Sequence, residues 1–296
     1  MTHPAHFLVP PSRSDPLNPQ LEERRLEERR TTDLKPRGRR RPSVDAVTLA
    51  PTPVSLAPLA SAVNGPPAAS GLVVSAAEGF KGLTALFAGS SPATWVFTGD
   101  SITQGAMYTE GWRSFPEHFA ERVRWELRRL HDVVINTGVV GETSAGLLAN
   151  LEARVLRFRP EAVLVLIGMN DAVGGPAGRA SFRENLYEIV RQIRQARGIP
   201  VLQTPNTVYP PYTCLLRDLP AYVEIIREVA QESQSPLIDH WRHWEQAKPE
   251  ADQLLGWLQD QSIHPNVYGH REMARLIFRT LGIFDRASLT CRLDAT

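Results

Sequence analysis

From about Gly71 onward the chain alternates short apolar runs with longer stretches whose apolar residues return at three- and four-residue steps. The first pattern reads as strands buried on both faces and the second as helices packed by one side. Together they describe a parallel sheet covered by helices. Five strands are predicted, over Thr94 to Thr98, Val133 to Thr137, Ala162 to Ile167, Pro200 to Gln203 and Pro236 to Ile238. Capping boxes, Ser114-Phe115-Pro116-Glu117 and Ser181-Phe182-Arg183-Glu184, mark two helix starts. In the second helix Phe182, Leu186, Ile189, Val190, Ile193 and Ala196 form the buried stripe, and Gly198 ends it. A last helix is predicted from Val267 to Leu281 and a weaker one near Glu78 to Phe87. The fold class expected is α/β, a three-layer α/β/α sandwich around a five-stranded parallel sheet in the flavodoxin-like order 2-1-3-4-5.

The N-terminal part is of another kind. Glu22-Glu23-Arg24-Arg25 recurs as Glu27-Glu28-Arg29-Arg30, Arg37-Gly38-Arg39-Arg40-Arg41-Pro42 follows, and prolines and alanines then run to about Ser70 with no sustained period. Such a segment buries too little apolar surface to offset its ordering entropy, so residues 1–70 are expected to be disordered. One folded domain is expected over 71–285, and a C-terminal tail over 286–296. A cytoplasmic location is the expectation. A twin-arginine export signal is the alternative, since Arg39 to Arg41 precede a mildly apolar stretch ending Ala60-Ser61-Ala62, but Asp45, Pro51, Pro53 and Pro58 interrupt that stretch.

Composition narrows the partners. Among 296 residues, 33 Lys and Arg stand against 32 Asp and Glu, which removes any general electrostatic case for nucleic acid. With 42% hydrophobic residues the chain can bury a sizeable core, yet no apolar run reaches the roughly 18 to 20 residues of a membrane span. The two cysteines, Cys214 and Cys291, lack metal or redox spacing and are expected to be idle thiols.

Chemistry collects where predicted strands end. The first strand stops at Gly99-Asp100-Ser101. The second runs into Gly138-Val139-Val140-Gly141-Glu142-Thr143, and the third into Gly168-Met169-Asn170-Asp171. His264-Pro265-Asn266 follows the fifth after two helical stretches. In a sheet ordered 2-1-3-4-5 the first three blocks flank the switch point, where such sheets bind ligands. A serine hydroxyl is a poor nucleophile without a base and oxyanion donors, and these blocks supply both. Ser101 would attack a carbonyl, and His264 would take its proton and return it to the leaving alcohol. Oxyanion donors would be the backbone N–H groups of Ser101 and Gly141 and the side chain of Asn170, with Asp100 and Asp171 in support.

These blocks resemble those of the GDSL, or SGNH, hydrolase family. There the serine of Gly-Asp-Ser, a glycine, the asparagine of Gly-x-Asn-Asp and a histidine near the C-terminus form the site. Ser101, Gly141, Asn170 and His264 match them, and the resemblance spans about Gly71 to Gly282. It implies the SGNH fold and ester hydrolysis without metal or other cofactor, often of acetyl or other short acyl groups. The substrate expected is a small-molecule ester, an acylated carbohydrate being one option. Acyltransferase, thioesterase or lipase-like activity on the same site is the alternative, as is an impaired carbohydrate-binding protein. The family commonly places an aspartate three residues before the histidine. Here that position holds Gln261, and Asp260 lies one residue further away. A one-residue bulge would let Asp260 complete a triad. Orientation of His264 by another group would leave a dyad, and loss of orientation a crippled site.

Other polar and aromatic residues read as structural. His240 and His243 share a helical face but lack a further ligand cluster, and Asp239 reads as the cap of the Trp241 to Ala247 helix. Arg122, Arg124, Arg128 and Arg129 read as a solvated, salt-bridged face. Tyr108, Trp112, Tyr209, Tyr212 and Trp257 could line a sugar- or acyl-binding wall, since several fall in loops on or near the active edge, but taken singly each reads as a packing residue.

Overall fold

A computed structural model describes residues 76–106, 108–209, 214–248, 250–259 and 263–292. The expectation for residues 1–70 and the position of Asp260 lie outside them. In chain order the elements are α1 (Ala76–Ala88), β1 (Thr94–Gly99), α2 (Ser101–Gln104), α3 (Phe115–Glu121), β2 (Val133–Asn136), α4 (Ser144–Ala149), α5 (Leu151–Arg154) and β3 (Ala162–Leu166). Beyond β3 come α6 (Gly175–Gln195), β4 (Ile199–Gln203), α7 (Leu219–Glu232), β5 (Leu237–Ile238), α8 (His240–Ala247), α9 (Ala251–Leu254), α10 (Val267–Thr280) and α11 (Leu289–Arg292). The strands form one parallel sheet in the order β2-β1-β3-β4-β5, flanked by helices. Strand order and all five strands agree with the apolar runs in the sequence, within a residue at each end.

β1 and β3 sit inside the sheet and are apolar on both faces, as internal parallel strands must be. Trp95, Val96 and Phe97 have no exposed surface, and neither do Ala162, Val163 and Leu166. Trp95 stacks on Phe87 of α1, and Phe119 of α3 meets Trp95 and Phe97 edge-on. α3 packs on α10, and α6 packs on α4 and α7, where Phe182 meets Tyr222. Among the described residues no helix is long and apolar enough to cross a membrane.

Three local expectations change. The helix expected to open at Ser181 begins at Gly175, with Pro176 in its first turn. Proline's fixed φ and missing N–H suit that place, whereas Ser181 lies inside the helix and turns its hydroxyl back onto the carbonyl of Gly178 at 3.0 Å. The arginine-rich segment is not one solvated face. It continues α3 as a π-helical stretch over Arg122–Glu126, and the buried Arg122 donates twice to the carbonyl of Ile283, at 3.0 and 2.8 Å. Finally, the segment expected as a tail carries α11, whose Cys291 is buried and whose Thr290 N–H donates to Glu126 at 3.1 Å. At Ser114, by contrast, the Glu117 carboxylate reaches back to the Ser114 N–H at 2.6 Å, as the capping box requires.

The entry of β1 is clamped by Asp132. One carboxylate oxygen accepts from the Ala93 N–H at 3.1 Å, and the other from the Trp95 indole at 3.0 Å and from Arg129 Nε at 2.7 Å. Arg129 also donates to the carbonyls of Gly89 and Ser91, at 2.5 and 2.7 Å. The pair is nearly buried, so removing one partner strands the other charge. Asp132→Ala is therefore expected to lower unfolding stability by about 3 to 5 kcal/mol, read as a shift of the urea midpoint.

Candidate functional site

β1 delivers its last residues into a space that only a glycine allows. A Cβ on Gly99 would lie 2.0 Å from the carbonyl oxygen of Leu166 and 2.6 Å from Thr103 Oγ1. The chain then turns directly into α2. Asp100 caps this helix by accepting from the Ile102 N–H at 2.9 Å, and Ser101 opens it with its side chain close to the surface of the crevice.

His264 comes from the far end of the chain and is held by a short backbone ladder. Leu258 and Pro265 form an antiparallel bridge, the Gln259 N–H donates to the carbonyl of His264 at 2.7 Å, and the Asn266 N–H donates to that of Trp257 at 2.9 Å. Asn266 also caps α10, accepting from the N–H groups of Tyr268 and Gly269. On the preceding residue the buried amide of Asn206, just beyond β4, donates to the carbonyl of Ile263 at 2.9 Å. The outcome is a contact of 2.9 Å between Ser101 Oγ and His264 Nε2. At that distance a hydroxyl proton can pass to a neutral imidazole.

The other two loops are tied to each other. Gly141 adopts φ +75°, with nothing within 4 Å of where a Cβ would sit. Asn170 donates one amide hydrogen to the carbonyl of Glu142 at 2.9 Å, and a carboxamide nitrogen carries a second. Asp171 accepts from both the N–H and the hydroxyl of Ser144, the latter at 2.6 Å, and Asn185 donates to that hydroxyl at 3.0 Å. The Asn170 loop is thus fastened to the start of α4, immediately after Gly141 and Glu142.

Two carboxyls lie beneath this surface. Asp100 has no exposed surface and one oxygen without a hydrogen-bond partner, so burial, reinforced by the charge of Asp171, pushes its pKa up to about 7. Burial also raises Asp171, against the bonds from Ser144.

Of the residues singled out by sequence, Ser101 and His264 are thus in contact, and Gly141, Asn170 and Asp171 lie on joined loops. The two α8 histidines have separate partners. His240 meets Gln203 at 3.0 Å, His243 lies 3.5 Å from Glu272, and among the described residues no group of three or more His, Cys, Asp or Glu could hold a metal ion. Asp239 caps α8 through the Arg242 N–H. Two contributors escape a reading of the sequence. Asn206 stands in a Thr-Pro-Asn-Thr run at the carboxyl end of β4, a position that could have marked it. Tyr108, by sequence a packing residue or part of an aromatic wall near the active edge, instead lies flat on the His264 ring, centroids 3.4 Å apart. A cavity of about 510 Å³ walled by Val208, Leu216, Trp241 and Leu254, with Arg217 and Lys248, includes none of the site residues.

The comparisons with known proteins bear on the family and the fold. The model of the GDSL-like Lipase/Acylhydrolase family matches residues 97–272. Thioesterase 1/protease 1/lysophospholipase L1 of Escherichia coli is 26% identical over 180 residues, covering 61% of this chain and 79% of its own. An acetylxylan esterase of Geobacillus stearothermophilus is 27% identical over 211 residues, covering 63% and 93%. Among solved structures, an acetylxylan esterase of the same species superposes with a TM-score of 0.54 at 19% identity, over 65% of this chain and 95% of that one. LAE5, an α/β hydrolase enzyme from the metagenome of Lake Arreo, does so at 0.56 and 20% identity, over 67% and 98%. These last two likenesses concern the fold.

The buried Asp100 gives stability a pH dependence. Its folded pKa is raised, so between about pH 4 and 7 the folded state keeps a proton that the unfolded chain has released, and stability from this group falls as pH rises through that window. The buried His118 and His240, lowered to about 4 and about 3 by burial, act in the opposite direction below pH 6.5. The informative quantity is therefore the difference between Asp100→Asn and the wild type. The variant is expected to gain stability relative to wild type between pH 5 and pH 8, by a few kcal/mol, in urea unfolding at the two pH values.

Proposed function

The chain belongs to the GDSL-like lipase/acylhydrolase family and is an esterase in the broad sense of that family; from that premise we propose that it hydrolyses small acyl esters, acetyl esters foremost, through an acyl-enzyme on Ser101. The observation that carries the proposal is the 2.9 Å contact of Ser101 Oγ with His264 Nε2.

In this mechanism the Oγ–H bond breaks as Oγ attacks the ester carbonyl, and the proton moves to His264 Nε2. The oxyanion is met by the N–H groups of Ser101 and Gly141 and by the second amide hydrogen of Asn170. Collapse of the tetrahedral intermediate expels the alkoxide, which takes the proton from His264 and leaves as the alcohol. Water then attacks the acyl-enzyme carbonyl, giving one proton to His264, and collapse of the second tetrahedral intermediate breaks the bond to Ser101 Oγ, which takes that proton from His264 as the acid leaves. Asp260 is the candidate for holding the imidazole from its other nitrogen.

The preference for acetyl on a carbohydrate or other small alcohol draws on the acetylxylan esterase relative. Hydrolysis of p-nitrophenyl acetate tests the reading. Turnover by the wild type is expected, with loss to background in Ser101→Ala and a fall in kcat of about 10² to 10³ in Asn170→Ala, the usual cost of one oxyanion donor. Undiminished activity in Ser101→Ala would exclude it as the nucleophile.

A further inference from the structure

Tyr108 follows Ser101 by one short loop, yet it touches the residue that arrives from the opposite end of the domain. Its ring lies 3.4 Å from the His264 ring, centroid to centroid, and within 1° of parallel. The turn after it fixes this placement. Trp112 N–H donates to the carbonyl of Thr109 at 2.9 Å, and both central residues have positive φ, Glu110 at +51° and Gly111 at +85°. That is the geometry of a type I′ turn, which glycine adopts freely and glutamate does not.

An interaction across the crevice holds the strained residue. Gln259 Nε2 donates to Glu110 Oε1 at 2.7 Å, while the Gln259 backbone N–H donates to the carbonyl of His264 at 2.7 Å. One residue therefore grips both the turn that presents Tyr108 and the backbone of the histidine on which Tyr108 stacks. Two independent contacts, the ring stack and the Gln259 latch, join the same pair of loops.

We propose that Tyr108, presented on a turn latched by Gln259, is a positioning residue for His264. Stacking restricts rotation of the imidazole about its Cβ–Cγ bond and so keeps Nε2 aimed at Ser101 Oγ. The effect grows as the reaction proceeds. When the Ser101 proton reaches Nε2 the ring becomes an imidazolium, and the negative π face of tyrosine attracts it more strongly than the neutral ring. An interaction stronger in the transition state than in the ground state raises kcat and leaves substrate binding nearly unchanged.

The proposal rests on the assignment of Ser101 and His264 above, and the experiment separates the two. Tyr108→Phe keeps the ring, and Tyr108→Leu removes it at a half-buried position where an apolar side chain is tolerated. With p-nitrophenyl acetate, Tyr108→Leu is expected to lose roughly 3- to 30-fold in kcat with KM within about twofold, and Tyr108→Phe to stay within about twofold of wild type. Gln259→Ala is expected to fall between them. Activity-independent evidence comes from NMR of the His264 ring protons. These should be shifted upfield by the stacked ring in wild type and Tyr108→Phe, even in a Ser101→Ala background, and released in Tyr108→Leu. Wild-type kcat in Tyr108→Leu, or a raised KM with kcat unchanged, overturns the positioning role while leaving the nucleophile assignment intact. Equal loss in Phe and Leu variants also overturns it, because the ring is then not the operative group. If Ser101→Ala retains full turnover, the underlying site assignment fails instead, whatever the Tyr108 variants do.

Discussion

β1 must be buried on both faces and still hand the chain on to a serine that meets a distant histidine. Burial demands an apolar strand with its backbone paired on either side, and β2 and β3 provide the pairing. The ending demands an abrupt change of direction at Gly99, where a Cβ would collide with the neighbouring strand. Because β1 lies between two partners, its carboxyl end faces the crevice where loops from both sides can reach it. The other site loops are located relative to that one point.

The surroundings of that point are polar and yet largely removed from water, where a polar group without a partner is costly, as the unpaired oxygen of Asp100 shows in its raised pKa. Asp171 accepts from Ser144, Asn170 donates to Glu142, and Asn206 donates to Ile263. These bonds serve two ends at once. They satisfy atoms that would otherwise be stranded at the sheet edge, and they tie loops from different strands to one another. Precision here comes from bonds between loops, since none of the loops is itself a long regular element.

Much of the fold is readable in the sequence because burial on both faces writes itself as unbroken apolar runs, and the four polar blocks stand directly after such runs or before a capped helix. The features that escape depend on distance in sequence. The place of Tyr108 near the active edge can be read from the sequence, but its partner cannot, because nothing local announces that His264 will arrive beneath it. Asn206 follows a strand to which the sequence attaches no chemistry. Arg122 carries the charge of a surface residue, and its burial rests both on the ion pair with the nearby Glu126 and on the carbonyl of the distant Ile283. The start of α6 escapes for a local reason. Glycine and proline around Gly175 suggest a loop, yet proline in a first helical turn is equally well accommodated, and the Gly-Pro pair alone does not separate the two.

The hydrogen bond between Ser101 and His264 joins residues 163 apart in sequence. Synthesis runs from the N-terminus, at about 5 to 20 residues per second, so the serine leaves the ribosome well before its partner does. Until β3, β4 and β5 have docked and the ladder around Pro265 has closed, Ser101 has no imidazole beside it. A nascent or truncated chain ending before this segment would thus carry the Gly-Asp-Ser block intact but without its histidine contact, so that the hydroxyl meets its partner only when the last part of the domain has been made and folded.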